Sequence, residues 1–448
     1  MNRPKVVIVG AGFAGLNAAK SLKGAELDVL MIDQNNYHTF QPLLYQVATA
    51  GLEVSDIAHQ VRDVFRRQDN FRFMQGAVTG VNWTLKELDL ASGETLRFDY
   101  LLLGVGAVYN DFGVPGVLEH GFFLKSLTEA ANIRSHILQQ FERASVRPEL
   151  IDEGVLNFVL VGAGPTGVEM AGALVELFEH ALANDYPELD VKRARVILLE
   201  MTGKVLGPYT KSSSNYAERT LRKRGVEIRL NATVASVRAN EVELKGGETI
   251  PTQTLLWAAG IRAHPLAESL GVELGRGYRA EVEPNLSLPG KPYAFVMGDM
   301  SGAKDKKGNP YPQVAQVAIQ QGKHAAAEVL AAIAKEPSTP FRYFDKGIMA
   351  IIGRRAGVAE LSRVFLGLKL RGLLGWLGWL FIHLIYLPGH QNRFNAFANW
   401  AYNYFTYDRH VRLITFLRPS AADLTQREEA VAVPQDESSR ALLEELTS

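Results

Sequence analysis

Two sets of three glycines carry the clearest chemical information in this chain. Gly10, Gly12 and Gly15 follow the apolar run Val6-Val7-Ile8-Val9, and Gly162, Gly164 and Gly167 follow Phe158-Val159-Leu160-Val161. In each G-x-G-x-x-G the first glycine permits the tight turn leaving a strand, and the second lets backbone approach a pyrophosphate. The third allows the new helix to pack closely on the sheet. The helix N-terminus then offers N–H groups and the positive end of its dipole to the phosphates. An acid about 20 residues on, at the tip of the next strand, should accept from a ribose hydroxyl. Asp33 closes the run Leu27 to Ile32 near that spacing, and Glu200 closes Arg195 to Leu199 after a longer insertion, Ala183 to Lys192. A single fingerprint is often plain turn punctuation. Two, each with strand, turn, helix and acid, imply two nucleotide sites on one polypeptide, an arrangement suited to passing electrons between cofactors.

The elements that must position these groups occur twice. Residues 1–115 read as one nucleotide unit, with strands around Val6, Val29 and Phe71 and a fourth at Tyr100-Leu101-Leu102-Leu103. The fourth ends in Gly104-Val105-Gly106-Ala107, a small-residue turn where backbone can lie against a cofactor. Residues 155–280 repeat the plan and close on Leu255-Leu256-Trp257-Ala258-Ala259-Gly260. A further short strand, Tyr293 to Met297, runs into Gly298-Asp299, placed to complete the first unit and aim a carboxylate at its ligand. The expected fold class is α/β: two Rossmann-like dinucleotide-binding domains, interleaved, with a helical C-terminal region. The expected boundaries are 1–115 with 285–335, 116–284, 336–420, and a tail at 421–448. That tail has seven acids, two arginines and no aromatic residue, and reads as mostly disordered apart from a short helix at 440–446.

Composition narrows the function classes. The 448 residues hold 48 Lys and Arg against 48 Asp and Glu, so the whole surface is not built for nucleic acid. No cysteine is present, which excludes a disulfide, a thiolate metal site, an iron–sulfur cluster held by this chain and a redox-active Cys pair. No metal is expected. A strand begins almost at the N-terminus, leaving no room for a secretory signal, so a cytosolic face is expected.

The C-terminal third is different in kind. Leu373 to Leu387 is strongly apolar, yet shorter than the roughly 20 residues of a membrane span, and it contains His383. Pro388-Gly389 breaks it. Asn392 to Arg412 is then rich in Phe, Tyr and Trp, and residues 363–418 carry Arg363, Lys369, Arg371, Arg393, Arg409, Arg412 and Arg418 against Asp408 alone, a net +6. Positive charge beside Trp, Tyr and Leu makes an interfacial anchor for an anionic lipid surface. Buried core helices or a homodimer interface are the alternatives.

Three segments carry a closer resemblance: Tyr37 to Gly51 (YHTFQPLLYQVATAG), Ala315 to Gly322 (AQVAIQQG) and Asp345 to Arg355 (DKGIMAIIGRR). With the paired fingerprints and Gly298-Asp299, the chain resembles the two-dinucleotide-binding-domain flavoproteins. Within them it looks like a type II, non-proton-pumping NADH:quinone oxidoreductase over residues 4 to 418. The resemblance implies non-covalent FAD cradled by Gly10, Gly12 and Gly15, with Phe13, Ala14, Val78, Gly106, Ala315 and Gln316 also along the cofactor. Asp33 would hold the adenosine ribose and Asp299 the ribityl–phosphate side. It implies NADH held by Gly162, Gly164, Thr166, Gly167, Glu200 and Gly260. Glu169, two residues past the last fingerprint glycine, would lie near nicotinamide and flavin, while Gln316 and Gln320 border the flavin on the quinone side. The chain departs from the family at Leu387 to Arg393, where relatives commonly have a more apolar turn before Asn-Arg; this bears on where the helix breaks and how deeply it inserts.

Residue chemistry can be set beside those roles. Gln316 and Gln320 share a helical face and offer donors and acceptors without charge, which suits a quinone carbonyl; the wet face of an ordinary amphipathic helix would look the same. Glu169, placed in the first turn of its helix, would be stabilised by the helix dipole or would relay a proton. Glu200 accepts from the 2′-hydroxyl of NADH and repels a 2′-phosphate, with Lys204 close enough to soften this. The expected reaction is hydride transfer from NADH to flavin, then two-electron reduction of a membrane quinone, by a monotopic protein on the cytoplasmic face of the cell membrane. With no polytopic helices, no proton pumping is expected. Sulfide:quinone oxidoreductases share the architecture but need cysteines. A soluble reductase of a small electron-carrier protein and an apoptosis-inducing-factor-like NADH-sensing switch are the remaining alternatives.

Overall fold

The computed structural model describes residues 3–409 and 411–415. Arg418, the acidic stretch 421–448 and its expected helix at 440–446 lie outside the described residues.

Short aliphatic runs, largely buried, form two sheets that are parallel except for the antiparallel edge strand 287–288 of the first, as expected where helices cover each side. The first has six strands in the order 287–288, 291–296, 100–103, 5–9, 28–33 and 71–75. Its central strand Lys5–Val9 pairs in parallel with Asp28–Asp33 on one side and Tyr100–Leu103 on the other. The chain order reverses there, so the crevice at the strands' C-terminal ends is the place for a ligand. The second sheet has five strands in the order 121–122, 254–257, 157–161, 195–200 and 227–230, with Asn157–Val161 central in the same way. The fold is thus interleaved: the chain leaves the first sheet after Leu103, builds the second, and returns through Lys291–Val296, which pairs with Tyr100–Leu103. An antiparallel ribbon, Ala107–Tyr109 with Ile261–Ala263, ties the outgoing and returning segments together.

The helix Phe13–Ser21 packs on Ala315–Ala334. Gly322 permits that approach, since a Cβ there would lie 2.1 Å from Ala14 O. The helix opened by the second fingerprint runs Pro165–Glu176 and widens into a π-helical turn, Leu177–Leu182, before the insertion.

A third sheet, Gly347–Gly353, Ala356–Leu361 and Lys369–Gly372, leads into two C-terminal helices, Leu373–Tyr386 and His390–Thr406. The break falls at Leu387 to Gly389. Leu387 is extended, as a residue before proline prefers, and Gly389 has φ +85°. The departure seen in sequence is therefore a defined turn, and Asn392 just beyond it is buried with its amide donating to Ser55 O, Asp56 O and Ala58 O. Among the described residues no helix is long and apolar enough to cross a membrane.

Candidate active site

The two fingerprints fold almost identically. Gly10 has φ +103° and Gly162 φ +100°, conformations that favour glycine. A Cβ on Gly10 would lie 2.4 Å from Gly104 O, and one on Gly162 would lie 2.7 Å from Ala259 Cα. The small-residue turns thus press directly on the fingerprints. A Cβ on Gly15 or Gly167 would sit 1.9 Å from the carbonyl oxygen of Gly10 or Gly162. The third glycine is therefore required by the loop's own first carbonyl before it is required by the sheet beneath. At Gly164 and Gly106 a Cβ would meet nothing, and at Gly12 only Gly104 O at 3.8 Å, so open space remains for a phosphate backbone to approach.

The acids also match. Asp33 Oδ2 accepts from Ala11 N at 2.7 Å and its Oδ1 from Asn35 N at 2.7 Å; Glu200 Oε2 accepts from Ala163 N at 2.8 Å and its Oε1 from Thr202 N at 2.8 Å. Each carboxylate is fixed on its own fingerprint, with lone pairs left for a ribose. Burial raises Asp33 above its usual value against those two N–H groups. Lys204 donates to Tyr209 O at 3.3 Å, so it is occupied on its own loop. His38, buried, sets Nδ1 2.8 Å from Ala11 O, and burial lowers it to about 4. Because a carbonyl only accepts, this neutral imidazole carries its proton on Nδ1.

The remaining residues expected along the first cofactor are spread over several elements of the first domain. Phe13 opens the helix, its ring edge-on to His38 and Phe40, and Ala14 is buried beside it. Val78 begins the strand that leaves the first sheet. Asp299 follows Gly298, whose N–H donates to Gln321 Oε1 at 2.6 Å. Its carboxyl is raised by burial, partly opposed by Lys125 and Arg279, and has no hydrogen-bond partner among the described residues. Ala315 and Gln316 open the helix that packs on the fingerprint helix. Gln316 Nε2 donates to Gly347 O at 3.0 Å, leaving its buried Oε1 without a partner. An orphaned acceptor, an unpaired carboxyl and the open glycines fit a polar cofactor such as FAD. In the second unit Thr166 is exposed at the start of its helix, and Gly260 has the exposed Phe112 ring against it, 2.7 Å from where a Cβ would stand.

The three residues expected to be catalytic do not share one pocket. Gln320 exchanges two hydrogen bonds with Phe344 backbone, at 3.0 and 2.9 Å. With Gln316 on Gly347, both glutamines fasten the segment 344–347 rather than face solvent. Glu169 lies elsewhere. It is in the second turn of Pro165–Glu176, not the first, so the helix dipole is a weak influence. Its Oε1 accepts from Ile351 N at 3.3 Å and Trp379 Nε1 at 3.1 Å. Burial raises it to about 8 against those donors, so near neutral pH it is a carboxylic acid able to give a proton. It lines a pocket of about 130 Å³ with Tyr45, Gln46, Leu380, Trp400 and Arg409, walled by the first domain and the two C-terminal helices. Trp379 stacks on His383 at 3.8 Å, and burial lowers His383 to about 4, so no charge enters that apolar helix.

Residues 4–322 match the family model of pyridine nucleotide-disulphide oxidoreductases. A type II NADH:quinone oxidoreductase of Mycobacterium tuberculosis is 39% identical over 430 residues, covering 92% of this chain and 90% of that protein. The chain belongs to the type II NADH:quinone oxidoreductases. A probable NADH dehydrogenase of Dictyostelium discoideum is 30% identical, with 88% of each chain covered. In fold the chain matches the Plasmodium falciparum NDH2 solved with NADH, at TM-score 0.83 and 19% identity, covering 93% of this chain and all of that one.

For a type II NADH:quinone oxidoreductase, sequence reasoning missed the partners of Glu169. Ile351 lies in one of the family segments and Trp379 in the apolar helix, but only the fold brings them to a carboxyl. It also left unseen the partners of two cations in the basic C-terminal stretch. Arg409 donates to Thr49 O at 2.7 Å and Ala173 O at 3.1 Å and pairs with Glu176 at 3.4 Å, while Arg412 pairs with Asp185 and Asp408. Both cations are paired within the chain, Arg409 largely buried and Arg412 nearer the surface. Pairing across the fold, invisible in a local charge count, is the reason.

Proposed function

We propose that this protein oxidises NADH and reduces a membrane quinone by way of bound FAD, without moving protons across the membrane. The observation that carries the reading is Glu169, a neutral acid on a pocket shared between the first domain and the C-terminal helices. The first crevice is the FAD site, with Gly10, Gly12, Phe13, Ala14 and Gly15 around the phosphates and Asp33 and Asp299 on the hydroxyls. Val78, Gly106, Ala315 and Gln316 complete it. The second holds NADH through Gly162, Gly164, Thr166, Gly167, Glu200 and Gly260. When bound, FAD supplies the two-electron carrier between the two substrates.

The chain's own groups orient and manage protons. Glu200 rejects a 2′-phosphate and selects NADH. Gln316 keeps its unpaired carbonyl oxygen for the flavin edge and, with Gln320, holds the segment 344–347 in place. Glu169 donates a proton as the quinone is reduced and recovers it from the same side of the membrane. NADH, one proton and the quinone give NAD+ and the quinol.

The quinone enters from lipid. Leu366, Leu374, Phe381, Phe394, Phe397 and Phe405 are exposed on the C-terminal turn and helices, and Lys369 and Arg371 are exposed beside them. Such a surface suits peripheral, monotopic attachment to an anionic cytoplasmic leaflet. A second copy of the chain covering it is the competing occupant.

The test is NADH oxidation by the flavin-loaded protein with and without a short-chain quinone, with NADPH alongside. Fast, quinone-dependent oxidation specific for NADH is expected. Flavin reduction that no quinone reverses would overturn the reading and favour a carrier-protein reductase. Sedimentation with vesicles containing phosphatidylglycerol, against neutral vesicles, tests the attachment; a salt-insensitive dimer that ignores vesicles would overturn it.

A further inference from the structure

Tyr45 lies in the first domain, buried, and lines the pocket that Glu169 closes. Its hydrogen bonding has an enforced direction. Trp400, on the last helix, can only donate, and its Nε1 lies 2.7 Å from Gln46 Oε1. The Gln46 carbonyl is therefore the accepting end, and its amide must donate to the Tyr45 hydroxyl, at 2.9 Å. The phenol oxygen is thus already an acceptor, so its own proton must point elsewhere. Among the described residues nothing accepts it. A second unpaired group lines the same pocket: Asn403 donates to Gly51 O at 3.1 Å, but its buried Oδ1 has no partner. A buried donor and a buried acceptor left open on one small pocket call for a ligand that supplies the complement.

We propose that the Tyr45 hydroxyl is the hydrogen-bond donor to one quinone carbonyl oxygen, aimed there by Gln46 and Trp400. This rests on the quinone-reducing reading above. The quinone takes up two electrons and two protons: NADH provides the electron pair and one proton as a hydride equivalent, and the medium provides the other proton through Glu169. Tyr45 is not consumed. Its donated bond strengthens as negative charge gathers on the carbonyl oxygen, and Asn403 Oδ1 accepts from a hydroxyl of the quinol once formed. Burial and the nearby Glu169 carboxyl hold the phenol well above its usual value, so it stays a donor throughout. Because Trp400 belongs to a C-terminal helix, correct seating of that helix is what points the donor.

The experiment is anaerobic stopped-flow on the flavin-loaded protein, reading flavin bleaching by NADH and then reoxidation by a short-chain quinone. Y45F keeps the ring and removes only the hydroxyl. Bleaching should be unchanged and reoxidation slowed about tenfold, the size of one neutral hydrogen bond. W400F, which frees Gln46 to turn over, should slow reoxidation in the same sense by less. The double variant should be no slower than Y45F alone, a coupling that independent packing defects would not give. Reoxidation of Y45F at the wild-type rate with an unchanged quinone KM would overturn the assignment, as would additive effects of the two substitutions. If Y45F fails to hold flavin, a W400F rate equal to wild type overturns it. Failure of the wild-type protein to pass electrons to quinone at all would instead defeat the underlying function.

Discussion

Trp379 donates its indole N–H to Glu169 Oε1 at 3.1 Å, across a sequence separation of 210 residues. One residue belongs to the nucleotide-binding helix and the other to the apolar C-terminal helix. The contact places a titratable acid where the C-terminal helices meet the second domain. It also shields that acid, whose burial raises it to about 8.

The pH dependence follows. A carboxyl raised in the folded state binds its proton more tightly there than in the unfolded chain, so stability falls as pH rises from about 4.5 to about 8 and levels beyond. E169Q should therefore melt higher than wild type at pH 8, with the gap closing by pH 5. Quinone reduction by wild type should decline as pH passes about 8. In E169Q it should be slower by about a hundredfold, the scale of one general acid, and flat with pH. An unchanged pH–rate profile in E169Q would remove Glu169 from the mechanism.

The paired glycines predict separable losses. In G15A the new Cβ meets Gly10 O at 1.9 Å, and in G167A it meets Gly162 O at the same distance. G15A should purify without flavin. G167A should keep its flavin absorbance and lose NADH-driven bleaching at ordinary NADH concentrations. Equal flavin content and equal bleaching in both would show that the loops tolerate the clash.

Glu200 should set nucleotide choice. Removing one negative charge beside the 2′ position, as in E200Q, should narrow the NADH over NADPH preference in kcat/KM by about tenfold. Steady-state kinetics with both nucleotides decide it, and an unaltered ratio would place discrimination elsewhere.

Gln316 should matter to the second half-reaction. Q316L discards the bond to Gly347 O and the unpaired oxygen together. Quinone-driven reoxidation should fall by about tenfold or more, while reduction by NADH is retained. Normal quinone turnover in Q316L would count against a role beside the flavin.

Arg409 joins three parts of the molecule through Thr49 O, Ala173 O and Glu176. R409L takes one of two cations from Glu176, which keeps Arg224, and strips Thr49 O and Ala173 O of their donor, so it should destabilise by roughly 2 kcal/mol. Denaturant melts measure this; a loss within about 0.5 kcal/mol, typical of exposed pairs, would mean the ion pair is solvated.

Much of the nucleotide machinery is written locally. The turn geometry of Gly10 to Gly15, the strand Lys5–Val9 beneath it and the carboxylate of Asp33 lie within one strand–helix–strand unit. Short-range sterics and hydrophobic periodicity are enough to read them. The same holds for Gly162 to Glu200, and for the return of Tyr293 to Asp299 to the first sheet. What sequence could not decide is what meets across the fold. Glu169 needs Trp379 and Ile351, Tyr45 needs Trp400 through Gln46, and Arg409 and Arg412 find Glu176 and Asp185 instead of lipid. Those partners come from distant segments that converge only when the C-terminal helices dock on both domains. Burial and hydrogen bonding at that junction, rather than residue type alone, set which acid stays protonated, which donor stays free and which cations are left unpaired at the surface.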